Sequence, residues 1–386
     1  MKRNVMVLTG SRSEYGLLKN VLWRILHSKK LELYLIVTGT HLAEQYGYTK
    51  NEIENDGFEV WKEISIDSNN SDEEIRIPIE MGNLMLRLSE IFCEKRPDIL
   101  LLLGDRYEML AAASAAVGLH IPIAHISGGE CTEGAMDEQI RHAITKMSHI
   151  HFPGASVYAD NIKKMGEETW RIFEVGDPGI ENIKTLKVIC KKDIETELNI
   201  KIDKNTLLVT YHPVTLELVD LESQMNNLIG ALIDYNGSII VTYPNSDDGS
   251  KLIIDKWKEF EKKRESVYLV RNLGSRRYLS VMRYCGAVVG NSSSAIVEAP
   301  FLKIPVVNIG NRQKGRLIAD SIVCCGYSKQ EINNAIKKVL SDEFIKIVQR
   351  SKSLYGEGDT SRRITEVLEN IELGDKLLKK KLCWNE

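Results

Sequence analysis

Short apolar runs separated by amphipathic stretches recur along almost all of this 386-residue chain. Runs this short, bounded by turn residues, suit buried strands, and the stretches between them suit helices. Strand and helix in strict alternation point to a parallel sheet built from βαβ units. In the first half the strand candidates are 5–8, 33–38, 59–66, 99–103, 121–126, 150–152 and 171–175. The clearest helix is 74–94, where Ile77, Ile79, Met81, Leu84, Leu86, Leu88 and Ile91 supply a wide apolar face. After Gly176-Asp177-Pro178-Gly179 the pattern loosens into a lysine-rich stretch, 184–204. A second series then begins, with strands at 207–211, 238–243, 267–270, 287–289 and 304–309 and helices between them.

The chain is too long for one ordinary core and long enough for two α/β domains. The expected fold is α/β, two Rossmann-like doubly wound domains with the active site in the cleft between them. The first domain is expected over 1–180 and the second over 181–360. A basic helix over 361–386 is expected to pack back on the first.

Composition limits the partners. Hydrophobic residues make up 43%, charged residues 27%, and the net charge is -3. That balance gives no reason to expect nucleic acid or a membrane as a partner. No apolar stretch approaches the roughly 18 residues that span a bilayer. The apolar run after Met1-Lys2-Arg3-Asn4 is too short for a signal-peptide core and leads into a turn. Seven cysteines show no CxxC and no metal-ligand spacing. A reducing, cytoplasmic setting is expected, with neither metal nor cofactor. Cys324-Cys325, in an apolar run, read as buried thiols.

The densest chemistry lies in 124–146, AHISGGECTEGAMDEQIRHAITK. It leaves a strand, crosses Gly128-Gly129 and enters a helix near Asp137, where open α/β sheets place ligands. Glycines there let backbone approach a ligand closely, and Glu130, Glu133 and Asp137 can serve as general acid and base. The alternative is that Asp137 caps the helix and the glutamates are solvated. The charge density beside the glycine pair, and Asp105 some twenty residues earlier, favour the catalytic reading. Asp105 follows strand 99–103 as a candidate base or as a helix N-cap. Arg106 is beside it, placed for a phosphate. Thr9-Gly10-Ser11-Arg12 follows the first strand and offers a helix N-terminus and a cation to an anion. Neither GxGxxG nor GxxxxGK[ST] is present, so dinucleotide and P-loop readings lack support.

The second half carries the other signals. His212-Pro213 ends its first strand, and Tyr243-Pro244-Asn245 the next. Gly290-Asn291-Ser292-Ser293-Ser294 leaves an apolar strand for a helix, and its hydroxyls and free N–H groups suit a diphosphate. Glu298, one turn into that helix, can accept from ribose hydroxyls. Arg312, Lys314 and Arg316 follow the last strand. The second domain therefore reads as the nucleotide binder, and the first as the reacting half.

With these motifs in order, the chain resembles the hydrolysing UDP-N-acetylglucosamine 2-epimerases of bacterial sialic- and legionaminic-acid synthesis. The motifs are TGSRSEYG (9–16), LGDRYE (103–108), HISGGE (125–130), DEQIRHAITK (137–146), His212-Pro213, GNSS (290–293) and NRQKG (311–315). The resemblance implies a glycosyltransferase-B-like fold and a reaction by elimination, then hydration. A base removes H2, UDP leaves C1, and the 2-acetamidoglucal takes up water with a proton from the opposite face. By matching position it implies catalytic Asp105 and Asp137, and a UDP-contacting histidine, His212, here grouped with the catalytic set. Arg12, Arg106, Asn245, Ser275, Ser292, Ser293, Glu298 and Arg312 match nucleotide contacts. The wider superfamily has Glu where this chain has Ser127, and Glu130 is the nearest replacement for that third acid.

The implied substrate is UDP-N-acetylglucosamine, giving N-acetylmannosamine and UDP. The alternative is UDP-2,4-diacetamido-2,4,6-trideoxyglucose. The first is favoured, because no apolar signature for a 6-methyl group stands out in the loops. A glycosyltransferase of the same fold is the competing class. A non-hydrolysing epimerase would carry Glu-Ala-Gly-Leu-Arg after the histidine strand, where this chain has Ser-Gly-Gly-Glu. A homo-oligomer, dimer or tetramer, is expected.

Overall fold

The structure, a computed structural model, describes residues 2–44, 48–66, 73–131, 136–214, 220–244, 249–271 and 273–383. The chain divides into two compact units, one formed by Met1–Asn182 with Tyr355–Glu386 and the other by Ile183–Leu354.

Unit 1 is a six-stranded parallel sheet of β1 (Arg3–Thr9), β2 (Leu31–Thr38), β3 (Val60–Ile64), β4 (Ile99–Leu103), β5 (Ile123–Ile126) and β6 (Ile150–Phe152). The order is β3-β2-β1-β4-β5-β6. Its central strands are buried on both faces, hence their continuous apolar runs. Its helices are α1 (Arg12–Leu26), α2 (Lys50–Asn55), α3 (Glu73–Glu94), α4 (Tyr107–Gly118), α5 (Met136–Met147), α6 (Ser156–Lys164) and α7 (Pro178–Thr185), whose last turn passes into unit 2.

Unit 2 repeats the plan. It contains α8 (Lys191–Leu198), β7 (Leu207–Thr210), α9 (Leu221–Leu232), β8 (Ile239–Thr242), α10 (Ser250–Lys263), β9 (Val267–Val270), α11 (Gly274–Tyr284), β10 (Ala287–Gly290), α12 (Ser293–Phe301), β11 (Val306–Ile309), β12 (Ile322–Cys325), α13 (Lys329–Val339) and α14 (Asp342–Arg350). Its sheet order, β12-β11-β10-β7-β8-β9, is that of the first sheet read from the other edge. The chain then returns to unit 1 through α15 (Thr360–Asn370) and α16 (Asp375–Leu378). Ile364 and Leu368 of α15 join the core of α1 and β1, and Arg24 Nε donates to Ser361 Oγ at 2.7 Å.

Three expectations are corrected. Residues 171–175 form no strand: a 3-10 turn, Thr169–Arg171, leads into a segment with only an isolated bridge, His151 to Ile172. Arg171 is fully buried there and donates to the carbonyls of His149, Lys376, Leu377 and Lys379. Its side chain is spent on anchoring the tail. Cys324 and Cys325 are not buried thiols. They end the edge strand β12, where Cys324 is exposed and Cys325 half-buried. The tail is two helices rather than one, interrupted before Gly374, which stands at φ 133°.

No helix among the described residues is long and apolar enough to cross a membrane.

Candidate active site

In a doubly wound sheet ligands gather where the strand order reverses, at the carboxyl ends of the strands. In unit 1 that point lies between β1 and β4, and in unit 2 between β7 and β10. The candidate residues cluster beside these two points.

In unit 1, β4 delivers Gly104, Asp105 and Arg106 to the crevice. Asp105 is not the N-cap of α4; Arg106 holds that place. Asp105 instead receives Nη2 of Arg141, a buried arginine on α5. Nη1 of Arg141 donates to the Glu130 carbonyl at 3.2 Å and lies 3.6 Å from Glu138 Oε2. One buried guanidinium thus gathers the end of β4, the loop after β5 and the helix bearing Asp137. Asp137 is the second residue of α5. Desolvation raises its carboxyl above the ordinary range, and the Arg106 guanidinium opposes that shift. One carboxyl raised by desolvation and another paired with a guanidinium differ enough in environment to divide the roles of donor and base.

The loop between β5 and α5 is shaped from within. His125 is fully buried, its Nε2 2.7 Å from the Gly104 carbonyl and its Nδ1 3.3 Å from Thr145 Oγ1. Burial pulls its pKa down to about 4, so it is neutral. Ser127 takes a left-handed conformation at φ 63°. Gly129, at φ 76°, packs so closely on α6 that a side chain there would strike the Tyr158 carbonyl. The glycine pair was expected to admit a ligand; Gly129 admits the protein's own helix.

Arg106 turns inward. Its Nε and Nη2 fork onto the fully buried Glu108 at 3.1 and 2.6 Å, and its face lies 5.6 Å from the Tyr107 ring. Arg12, the first residue of α1, is exposed and pairs with Glu52 at 3.0 Å. Glu133 and Asn245 lie outside the described residues.

In unit 2 the same topology is lined differently. β7 ends at Thr210 and is followed by Tyr211-His212, and β10 ends at Gly290 and is followed by Asn291-Ser292. Gly290, at φ 140°, presses on Thr210 so tightly that any side chain would collide with its carbonyl. Asn291, fully buried, accepts the His212 N–H at 2.7 Å and donates to the His212 carbonyl at 2.8 Å. Arg312 Nη1 and Gln313 Nε2 both donate to the Asn291 carbonyl, at 3.0 and 2.9 Å. Burial, then the Arg312 guanidinium, lowers His212 to about 4, so the ring is neutral. Ser292 is the N-cap of α12 but its side chain does not cap; its Oγ lies 3.1 Å from Ser294 Oγ. Ser294 Oγ in turn meets Tyr278 OH at 2.8 Å. Ser293 is exposed at the first position of α12, Glu298 is half-buried one turn on, and Ser275 falls within α11.

The sequence reading passed over Glu14, Glu108, Arg141, Asn291 and Tyr278. Four of them lie inside motifs it used: Glu14 in 9–16, Glu108 in 103–108, Arg141 in 137–146 and Asn291 in 290–293. Among the described residues no group of three or more His, Cys, Asp or Glu is placed to hold a metal ion.

Two parallel sheets of this strand order, each with polar residues gathered at its switch point, define a glycosyltransferase-B-like protein. A solved structure described as UDP-GlcNAc 2-epimerase from Neisseria meningitidis bound to UDP-GlcNAc shares the fold, with a TM-score of 0.79, 17% identity, and coverage of 95% of this chain and 99% of that one. The family model described as UDP-N-acetylglucosamine 2-epimerase matches residues 24–369, and the chain belongs to that family. One relative, the GDP/UDP-N,N'-diacetylbacillosamine 2-epimerase (hydrolyzing) of Campylobacter jejuni, is 39% identical over 345 residues, 89% of each chain. Another, the UDP-N,N'-diacetylbacillosamine 2-epimerase (hydrolyzing) of Legionella pneumophila, is 35% identical over 380 residues, 98% of this chain and 99% of the relative.

Proposed function

We propose that this enzyme is a hydrolysing 2-epimerase of UDP-N,N'-diacetylbacillosamine, the UDP-activated 2,4-diacetamido-2,4,6-trideoxyglucose. The products are UDP and the free manno-configured sugar, a precursor of a sialic-acid-type nine-carbon sugar. The observation that carries the chemistry is the gathering of Asp105, the Glu130 loop and the Asp137 helix by one buried arginine. C2–H beside an acetamido group is barely acidic, so its removal depends on UDP leaving C1. Asp105, paired with Arg141, is suited to take H2. Asp137, raised by desolvation, is suited to return a proton to C2 on the other face during hydration. Arg12, Arg106, His212, Asn245, Ser275, Ser292, Ser293, Glu298 and Arg312 are assigned to the nucleotide. With His212 neutral, cationic support for the diphosphate falls to the arginines and helix ends. The acids around C2 and the hydrolysing relatives favour this reading over glycosyl transfer.

The choice of sugar reverses the preference drawn from the sequence. That preference rested on the lack of an apolar signature, and a missing signal discriminates weakly. Both relatives above carry the diacetamido sugar in their names. The test is a proton NMR time course with UDP-N,N'-diacetylbacillosamine, its GDP counterpart and UDP-N-acetylglucosamine. The diacetamido UDP-sugar should give free sugar and stoichiometric UDP, with deuterium at C2 when the reaction runs in D₂O. A kcat/KM about tenfold or more in favour of UDP-N-acetylglucosamine, roughly what one methyl-sized contact discriminates, would return the assignment to that substrate. A UDP-sugar of inverted C2 accumulating as product would remove the hydrolytic reading.

A further inference from the structure

The unit 1 switch point holds two buried carboxylates and one guanidinium. Glu14, in the first turn of α1, is 6% exposed and Glu108, in α4, is 0% exposed. They face each other across Gly10: a side-chain carbon built there would lie 3.1 Å from Glu108 Oε1 and 3.4 Å from Glu14 Oε2. Glu14 Oε2 accepts the Gly10 N–H at 2.9 Å and lies 3.3 Å from Ser11 Oγ. Its other oxygen, Oε1, is buried without a hydrogen-bond partner among the described residues. Glu108 takes both Nε and Nη2 of Arg106. Two carboxylates close together with one cation cannot both ionise without leaving an unbalanced buried charge. A buried carboxylate oxygen with no donor is costly as an anion, whereas on a neutral carboxyl it can carry the proton.

We propose that Glu14 is a positioning residue for Arg106: as the neutral acid it leaves the guanidinium balanced by Glu108 alone, with its outer edge open to an anionic group of the substrate. Once ionised, Glu14 adds a second counter-charge and draws Arg106 away from that anion. The inference rests on the reading of Arg106 as a nucleotide contact. The other groups facing Glu14 leave this charge count intact. They are the Gly10 amide and Ser11 hydroxyl on its own turn, and Arg106 and Glu108 at the start of α4, while His41, after β2, faces Arg106. His41 is buried between Thr9 and Thr49, at 3.0 and 2.8 Å, and stays neutral with a pKa near 4. Beyond Arg106 stands Asp137 on α5. Burial pushes Glu14 up to about 7, within the range where the enzyme can be assayed.

The test is calorimetry with UDP-glucose, whose diphosphate has no proton to lose between about pH 6 and pH 8.5. Wild-type affinity should fall about fivefold or more across that range, as expected for one added charge near the anion site. In Glu14→Gln, which still accepts the Gly10 N–H, the fall should vanish, while Glu14→Asp should retain one. Should Glu14→Gln fold poorly, Glu108→Gln serves instead: without the neighbouring carboxylate the fall should move to lower pH. A pH-flat wild type, or a Glu14→Gln profile identical to wild type, overturns the role of Glu14 and leaves the nucleotide-sugar reading standing. A wild type that neither binds UDP-glucose nor releases UDP from any UDP-sugar overturns both.

Discussion

The two units solve one topological problem with opposite chemistry. Both sheets share a strand order and reverse it at a switch point, the place where such folds open a crevice. Unit 1 fills the floor beneath its switch point with ionisable groups: buried Glu14, Glu108 and Arg141, with Arg106 and Asp105 half-buried against them. Unit 2 lines its crevice with neutral groups. Asn291 bridges to a neutral His212, and hydroxyls of Thr210, Thr242, Tyr278, Ser292 and Ser294 link to one another. Buried charges respond strongly to pH and to single substitutions, whereas neutral networks do so weakly. On the function proposed above, the difference suits unit 1 to proton transfer and unit 2 to passive recognition, with Arg312 placed beside His212.

The largest effects should follow from removing the unit 1 acids. Asp105→Asn and Asp137→Asn should each lower kcat by about 10²–10⁴, the usual worth of a positioned acid or base, with UDP affinity largely kept. A variant impaired only in hydration should release the glycal. If both keep near-normal turnover, proton transfer does not reside in unit 1 and the contrast between the halves collapses.

Next comes a charge cluster away from the crevice. Glu167 is buried and receives Lys146 at 2.5 Å, Lys380 at 2.8 Å and His151 at 3.0 Å. Although burial alone would raise its carboxyl, these partners hold it at about 2, below the ordinary 4.5. The folded state thus binds this proton less readily than the unfolded chain. Its contribution is fully present above about pH 4.5 and is lost as pH falls toward 2. Glu167→Gln should cost about 3–5 kcal/mol at neutral pH, the range for breaking a buried ion pair, and should flatten the acid side of the stability curve. Urea titrations at several pH values measure this, and a cost below about 1 kcal/mol would place the cluster with surface pairs.

A smaller effect belongs to unit 2. Arg312→Ala should weaken UDP binding by about 1.5–3 kcal/mol, the range for a hydrogen bond to a charged group. Unchanged UDP affinity by calorimetry would take Arg312 out of the site. The smallest effect should be at the sheet edge. Cys324→Ser should shift stability by no more than about 0.5 kcal/mol, as at other exposed positions; a loss of several kcal/mol in denaturant would show that the thiol is packed after all.

Most of the fold could be read because strands buried on both faces carry unbroken apolar runs, as in 99–103 and 287–289. Two of the three errors lie at sheet edges. β12 has one buried residue in four, so its apolar run suggested buried thiols where the structure has an edge strand. Residues 171–175 have apolar side chains at strand spacing, and Phe173 and Val175 do reach the core, but the backbone makes only an isolated bridge. The candidate site could be drawn wherever a motif followed a strand, since strand ends at a switch point are where groups converge. What could not be read were pairings between segments far apart in sequence. Nothing local to Glu14 shows that Arg106 and Glu108 lie beside it. Nothing local to Arg141 shows that it reaches Asp105, 36 residues earlier.

The return of the chain to unit 1 has a consequence for biosynthesis. Unit 2 is one uninterrupted segment, Ile183–Leu354, whereas unit 1 needs residues made after it. Arg3 donates to the Leu368 carbonyl, and Arg171 to three carbonyls of the tail. Domains ordinarily complete themselves in the order in which they leave the ribosome. In this protein the order is inverted: the segment made second can finish first, and the acid-bearing half waits, with α1 and Arg171 uncovered, until translation reaches α15 and α16.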